Sequence, residues 1–154
     1  MKSSIASNSS CPTPVMHDLE SITNVFFTRW GDSYSELCDS FTDIMTEDCP
    51  WVQEPLATTK GPVEAIKFMD KSRRFLRLDT IEVEVLSIAT NGDIVFSERI
   101  DHLYTASGKS IASVPVTGVM QFQGERLNHW REYFDASTLI VGSLKNLLKG
   151  TGRT

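Results

Sequence analysis

Apolar residues recur every three to four positions along the first third of the chain, which predicts two amphipathic helices there. The first covers about residues 16–31 and ends at Gly31. Its predicted buried stripe comprises Leu19, Ile22, Val25, Phe26 and Trp30. The second helix follows at once, capped by Asp32 or Ser33, and ends before the polar segment 46–48. Its predicted buried face comprises Tyr34, Leu37, Phe41, Ile44 and Met45.

Prolines and a Gly-Pro pair predict the structure of residues 49–69. Residues 49–56 carry proline at positions 50 and 55, and proline cannot donate a hydrogen bond to a central strand. This segment is therefore predicted to be a short extended piece at a sheet edge. Gly61-Pro62 then begins a third helix, because proline suits the first helical position. Its predicted inward side chains are Val63, Ile66 and Met69.

From Asp79 onward every second residue is apolar, as in Ile81, Val83 and Val85, and this period predicts strands. Turn signals at Asn91-Gly92, Ser107-Gly108 and Gln123-Gly124 separate strands at about 93–105, 109–123 and 125–134. Pro115 and Gly118 predict a bulge or sharp bend inside the second of these. Asp135 is predicted to cap a final helix. The apolar face of that helix comprises Ile140, Leu144, Leu147 and Leu148.

Three helices followed by a meander of long antiparallel strands predict an α+β fold with the helices on one face of the sheet. Bends and bulges would curl that sheet around a pocket. The length of 154 residues suits one domain with a substantial core, which we place at residues 15–150. Residues 1–14 are rich in Ser, Thr, Asn and Pro and are predicted to be a disordered leader.

Charge and composition argue against nucleic acid as a partner and against a membrane span. The formal net charge is -5, and no segment gathers the Lys and Arg that neutralise a phosphate backbone, so nucleic acid is not an expected partner. The sequence has no apolar run of bilayer length and no evident secretory signal, so we expect no membrane span and a soluble, cytoplasmic protein. Cys11, Cys38 and Cys49 are odd in number and lack C-x-x-C spacing, which favours reduced thiols.

Ionisable residues stand out in two of the predicted strands. Arg99 and Asp101 are two residues apart, so their side chains share one face of an extended strand. Such a pair is often a solvent-facing ion pair, and periodicity does not decide, because apolar residues occur on both faces of this strand. Glu132 shares its face with Trp130 and Phe134, which indicates an inward carboxylate. A structural carboxylate bonded to a nearby arginine or backbone amide fits that pattern equally well.

Paired buried charges are the most promising candidate for chemistry in this sequence. Burying carboxylates and a guanidinium is costly unless they pair, and enzymes use such groupings for acid–base catalysis. His17, His102 and His129 have no metal-ligand spacing with one another. No serine or cysteine lies in a recognisable nucleophile motif.

The charged strands belong to a pattern that closely resembles the limonene-epoxide hydrolase family. The matching segments are Ser97-Glu98-Arg99-Ile100-Asp101, Gly108-Lys109-Ser110, Gly118-Val119 and Trp130-Arg131-Glu132-Tyr133-Phe134-Asp135. That family lies within the superfamily of nuclear-transport-factor-two-like proteins, with the polyketide cyclases and ketosteroid isomerases. The resemblance is strongest over residues 91–135 and extends more weakly back to residue 16.

The resemblance implies a strongly curved, cone-shaped barrel of mixed or antiparallel strands, closed by the N-terminal helices around a deep apolar pocket, with an extra C-terminal helix. It implies a homodimer that binds a small apolar substrate and needs no metal or organic cofactor. In the family, the residue at the position of Asp101 protonates the epoxide oxygen, and the acid at the position of Glu132 takes a proton from water. The residue at the position of Arg99 bridges the two.

Two departures from the family pattern affect the expected water site. The family uses Asp as its base, whereas Glu132 is one methylene longer. The family also holds its water with a Tyr and an Asn two residues apart, and counting back from Gly61 places Trp51 and Gln53 there. Glutamine can position water, whereas tryptophan can only donate a hydrogen bond. Tyr133 is a further candidate to donate to a substrate oxygen, although tyrosines on strands usually serve packing.

Three functions follow from these residues. The preferred hypothesis is a cofactor-independent enzyme that opens an epoxide in a small or medium apolar metabolite by adding water. The alternative is an isomerase or cyclase of a polyketide or terpenoid metabolite, in which Glu132 removes a substrate proton and Asp101 protonates oxygen without consuming water. The second alternative is a non-catalytic module for ligand binding or dimerisation, because a fold alone does not assign a function.

Overall fold

The structure is a computed structural model that describes residues 17–141, in which three long helices pack on a six-stranded sheet. The helices are α1 (Leu19–Asp32), α2 (Tyr34–Ile44) and α3 (Gly61–Leu76). The strands are β1 (Pro50–Glu54), β2 (Ala57–Lys60), β3 (Thr80–Asn91), β4 (Ile94–Tyr104), β5 (Ser110–Gln123) and β6 (Arg126–Phe134). The predicted leader and residues 144–148 of the predicted last helix lie outside the described residues.

The strand order in the sheet is β2-β1-β6-β5-β4-β3. β1 runs parallel to β6, and the other neighbouring strands are antiparallel. The predicted α+β class, with a mixed sheet and N-terminal helices, is confirmed. The sheet itself does not close into a barrel, because β2 and β3 remain its two edges within the described residues. α1 packs along β3, so a helix covers the end of the sheet where closure would need another strand.

Local signals in the sequence set the helix boundaries. Asp18 accepts a hydrogen bond from the backbone N–H of Ser21 at 3.0 Å at the start of α1. Of the two caps considered for α2, Ser33 takes the role, accepting from the N–H of Glu36 at 3.1 Å. Gly61 begins α3 with a φ of 70°, and a Cβ there would lie only 2.1 Å from the carbonyl oxygen of Glu47. The junction between β2 and α3 therefore requires glycine.

Two predicted inward side chains are exposed instead. α1 buries Thr23, Phe26, Phe27 and Trp30. Val25 lies one residue outside that stripe and points to solvent. α3 buries Gly61, Ala65 and Met69, which are four residues apart. Val63 lies halfway between the first two and is therefore on the opposite side of the helix.

The proline-rich segment is not the sheet edge that its sequence predicts. β1 lies between β2 and β6, and the four-residue β2 forms the edge. The prolines are tolerated because Pro50 is the first residue of β1 and Pro55 follows its last residue. The bulge predicted at Pro115 and Gly118 was also wrong, because both residues keep a regular register with β4. Pro115 lies just outside the stretch of β5 that pairs with β6, so its missing N–H interrupts no pairing with β6.

A cluster of aromatic side chains fills the space between the helices and the sheet. Its members are Phe26, Phe27, Trp30, Phe41, Trp51, Phe68 and Trp130. The indoles of Trp51 and Trp130 stack with centroids 4.6 Å apart and planes within 10° of parallel. This stacking joins β1 to β6 beside the charged residues. None of the helices in the described part of the chain is long and apolar enough to cross a membrane.

Candidate active site

Three charged side chains from two strands meet inside the fold. Arg99 and Asp101 project from β4, and Glu132 projects from β6, with β5 lying between these strands. Gly118 on β5 is the register partner of Glu132, and a Cβ on it would lie 3.1 Å from Nη1 of Arg99. The absence of a side chain at Gly118 therefore gives the arginine room to reach across β5.

Arg99 binds both carboxylates at once. Its Nε donates to Oδ1 of Asp101 at 2.8 Å, and its Nη2 donates to Oδ2 of Asp101 at 3.2 Å. The same Nη2 also donates to Oε1 of Glu132 in a short contact. The residues are 1% (Arg99), 9% (Asp101) and 3% (Glu132) exposed, so the solvent-facing ion pair considered from sequence is excluded. Both acids line one pocket, which is the geometry that acid–base chemistry between them requires.

Aromatic rings hold the guanidinium from the helix side. The Cζ atom of Arg99 lies 4.5 Å from the ring centroid of Phe27 and 5.7 Å from that of Trp30. At such distances the negative face of the ring attracts the cation, and a dry site strengthens the attraction. Phe27 was not singled out from sequence, because it lies beside the α1 stripe that the three-to-four spacing identifies. Its size and its position next to Phe26 were the only signals available.

The net charge of Arg99, Asp101 and Glu132 together bears on whether one of the acids is protonated. One guanidinium and two ionised carboxylates would bury a net charge of −1, which is costly in a dry interior. Burial raises the pKa of Glu132, the neighbouring charge of Asp101 adds to the rise, and Arg99 and Trp51 oppose it. Burial also works against the charge on Arg99, but the two carboxylates outweigh it and raise the pKa of the guanidinium. The raised pKa of Glu132 favours its protonation, and one proton on Glu132 would make the group neutral.

Trp51 and Gln53, the two residues expected to position water, differ in whether their hydrogen-bond donors are already used. The indole N–H of Trp51 donates to Oε2 of Glu132 at 3.0 Å, so this donor is engaged by the acid. Gln53 is the register partner of Glu132 across the parallel β1–β6 pair, and it lines the pocket. Its Nε2 atom is buried without a hydrogen-bond partner within the protein, so Gln53 keeps a donor for a bound molecule.

Tyr133 does not reach the pocket, which corrects its proposed contact with substrate. It is 48% exposed, because successive residues of β6 point to opposite faces and Glu132 takes the inner one. Among the predicted site residues, Arg99, Asp101, Glu132, Trp51 and Gln53 are therefore brought together, and Tyr133 is not.

The pocket itself is almost entirely apolar. It encloses about 660 Å³ of empty space, a volume that includes solvent at its open mouth. Its polar side chains are Gln53, Ser72, Asp101 and Glu132. α3 supplies one wall, with Phe68, Met69, Ser72 and Leu76. The sequence did not identify Ser72, whose hydroxyl donates to the carbonyl of Phe68 at 3.1 Å and resembles an ordinary helix residue.

Groups for metal or thiol chemistry are not assembled in the described structure. Across residues 17–141, no three His, Cys, Asp or Glu side chains are arranged to hold a metal ion. Cys38 and Cys49 are free thiols, and Cys11 lies outside the described residues. His102 binds Ser113 and Glu84 on partly exposed surface, away from the pocket.

Solved structures with the same fold include an epoxide hydrolase, a candidate cyclase and a protein of unknown function. An epoxide hydrolase from M. tuberculosis, described as similar to limonene-epoxide hydrolase, is 21% identical, with a TM-score of 0.65 over 83% of this chain and 86% of that one. A candidate SnoaL-like polyketide cyclase from Shewanella denitrificans is 14% identical, with a TM-score of 0.66 over 82% and 96%. An NTF2-like protein of unknown function from Burkholderia pseudomallei is also 14% identical, with a TM-score of 0.66 over 82% and 97%.

Comparison of the sequence with family models identifies one family, whereas the similar folds belong to several kinds of protein. No curated protein matches the chain significantly. The family model for the limonene-1,2-epoxide hydrolase catalytic domain matches residues 35–145, which is well over half of the chain and includes every strand. The chain therefore belongs to the limonene-1,2-epoxide hydrolase catalytic domain family.

Proposed function

We propose that this protein is a cofactor-independent acid–base enzyme that opens an epoxide in a small or medium apolar metabolite by adding water. The observation that carries the proposal is the pair of buried carboxyls, Asp101 and Glu132, on one arginine at the wall of an apolar pocket. A neutral group with one mobile proton can supply an acid and a base in the same step. Membership of the family and the fold shared with an epoxide hydrolase support this reaction.

In the proposed reaction, the reactive form carries its proton on Asp101, and it competes with a form protonated on Glu132, whose pKa burial raises. Asp101 gives its proton to the epoxide oxygen as the carbon–oxygen bond breaks. Ionised Glu132 accepts a proton from the attacking water, whose oxygen forms the new bond to carbon. The product is a diol, and the proton has moved from one acid to the other. Arg99 contacts both carboxylates, so it stabilises whichever acid carries the negative charge. The free Nε2 of Gln53 is available to bind the water or a substrate oxygen.

One observation favours a second function, the isomerase or cyclase. Trp51 donates to Glu132 rather than into the pocket, so Gln53 is the remaining member of the expected water-holding pair. A base that removes a carbon-bound proton from substrate needs no held water. The same acid and arginine would then protonate and stabilise a substrate oxygen, and the fold is shared with a candidate polyketide cyclase.

Oxygen-18 water separates these reactions. The protein is incubated with a panel of epoxides, including limonene-1,2-epoxide, cyclohexene oxide and styrene oxide, and the products are analysed by mass spectrometry. Hydrolysis predicts diols that carry one labelled oxygen. An unlabelled isomer formed from a panel member would instead support the isomerase.

Asp101→Asn is the matched variant because it keeps the size of the side chain and removes the transferable proton. We expect turnover to fall by about 10²–10⁴-fold while the circular dichroism spectrum stays that of the parent. A variant that retains full turnover would contradict the assignment of Asp101. If neither the parent nor the variant turns over any member of a broad epoxide panel, epoxide opening is contradicted, and the isomerase or cyclase and the non-catalytic module remain.

A further inference from the structure

Three buried polar atoms behind Arg99 have no hydrogen-bond partner within the protein. They are Oγ of Ser97, Nη1 of Arg99 and Nε1 of Trp130. All three residues are almost completely buried. Leaving such groups unpaired in a dry interior is costly, so native proteins nearly always satisfy them, often with an ordered water.

The three atoms converge on the space above Gly118. A Cβ built on this glycine would lie 2.9 Å from Oγ of Ser97, 3.1 Å from Nη1 of Arg99 and 3.8 Å from Nε1 of Trp130. The register of the sheet explains this, because Ser97 and Gly118 are direct partners across β4 and β5. Because Gly118 has no side chain, the three polar atoms can approach its backbone closely at one point of the sheet.

The chemistry of these atoms selects the ligand. Arginine and tryptophan only donate hydrogen bonds, whereas a serine hydroxyl donates and accepts. A metal cation would face two donors, and an anion would add charge beside the two carboxylates. A water molecule can accept from both donors and donate to the hydroxyl, which matches the three partners that buried waters usually have.

We propose that one ordered water binds above Gly118, accepting from Nη1 of Arg99 and Nε1 of Trp130 and donating to Oγ of Ser97. This water is not the reacting one, because Ser97, Gly118 and Trp130 are not among the residues that line the pocket. It completes the hydrogen bonds of the guanidinium, whose Nε and Nη2 bind the carboxylates. Ser97, Gly118 and Trp130 are thereby positioning residues that act through Arg99.

A crystal structure of the parent protein at about 1.5 Å resolution tests the site directly. We expect a density peak within about 2.7–3.2 Å of all three atoms, refining as a water. A direct hydrogen bond between Ser97 and either donor, with no peak between them, would overturn the proposal. So would a peak that touches only one of the three atoms.

Ser97→Ala tests whether the water positions the arginine, because the serine hydroxyl makes no direct hydrogen bond to Arg99 and can act on it only through the water. Ser113→Ala is the matched control, because it removes a serine hydroxyl on a neighbouring strand that bonds His102 at 2.8 Å instead. The readout is the carboxyl carbon resonance of Glu132 followed by NMR against pH, assigned with Glu132→Gln. We expect Ser97→Ala to shift the titration midpoint of Glu132 upward, because a less firmly held arginine stabilises the ionised acid less. The control should not shift it.

An unchanged midpoint in Ser97→Ala would overturn the positioning role. The measurement uses no substrate, so failure of the proposed epoxide reaction leaves this test intact. Conversely, an unchanged midpoint leaves the proposed reaction standing, because the reaction rests on the contacts of Arg99 with the two acids.

Discussion

Trp51→Phe isolates the single hydrogen bond that the protein directs at its proposed base. The indole N–H of Trp51 donates to Oε2 of Glu132 at 3.0 Å, and this bond favours the ionised acid. Phenylalanine removes the donor but keeps an aromatic ring facing Trp130, against which Trp51 stacks at 4.6 Å. The perturbation is therefore mainly electrostatic.

The size of the effect follows from the strength of the bond. A hydrogen bond to a charged group contributes about 1.5–3 kcal/mol, and one pKa unit corresponds to about 1.36 kcal/mol. Loss of this bond should raise the pKa of Glu132 further, and burial already raises it. A base must be ionised to act, so the acid side of the pH profile of kcat/KM should move to higher pH, and kcat/KM on that side should fall by about 10- to 100-fold.

The assay is the pH dependence of kcat/KM for the best substrate of the epoxide panel. Tyr34→Phe is the control, because it also removes a single side-chain donor, a hydroxyl that donates to Asp70 at 2.7 Å rather than to Glu132. We expect the profile of this control to keep the midpoint of the parent. A Trp51→Phe profile that stays in place, or moves to lower pH, would refute the assignment of this bond to the base.

Three further predictions concern stability and specificity. A carboxyl whose pKa is higher folded than unfolded contributes stability that is complete below its unfolded pKa, near 4.5, and is lost as pH rises through the folded pKa. Urea unfolding at several pH values should show this decline in the parent and a flatter profile in Glu132→Gln. Arg99→Met should lower the free energy of unfolding by about 3–5 kcal/mol at pH 7, because two buried carboxylates lose their partner, and a loss below 1 kcal/mol would contradict their burial. Tyr133→Phe should leave kcat and KM within about twofold of the parent, since its side chain lies outside the pocket, and a larger change would place Tyr133 in the reaction.

Periodicity predicted the regular elements well where one face is clearly apolar. α1, α2 and the four strands from β3 to β6 lie close to their predicted bounds. β2 was missed because Ala57–Lys60 has only four residues and no alternation of apolar and polar side chains. Its pairing with β1 comes from the tight connection between them, which sequence periodicity does not report.

The inward direction of Arg99 could not be decided from its own strand. Both faces of β4 carry large apolar residues, and Phe96 on the outer face is left substantially exposed. What places Arg99 inside is its surroundings, namely Phe27 on α1 and the missing side chain of Gly118 on β5. These contacts are between residues far apart in sequence. Only the family resemblance, which combines both strands, predicted that Asp101 and Glu132 would share one arginine.

Gly61 fixes the position of a helix that forms a wall of the pocket but carries none of its charged groups. Any side chain at this position would collide with the carbonyl of Glu47, and relief of that collision requires α3 to shift its start. α3 supplies one wall of the pocket, whereas the acids and their arginine stand on β4 and β6. Changes at the β2–α3 junction can thus alter which molecules fit without moving the charged groups. In an evolving lineage, such a division allows substrate range to change while the proton-transfer residues stay the same.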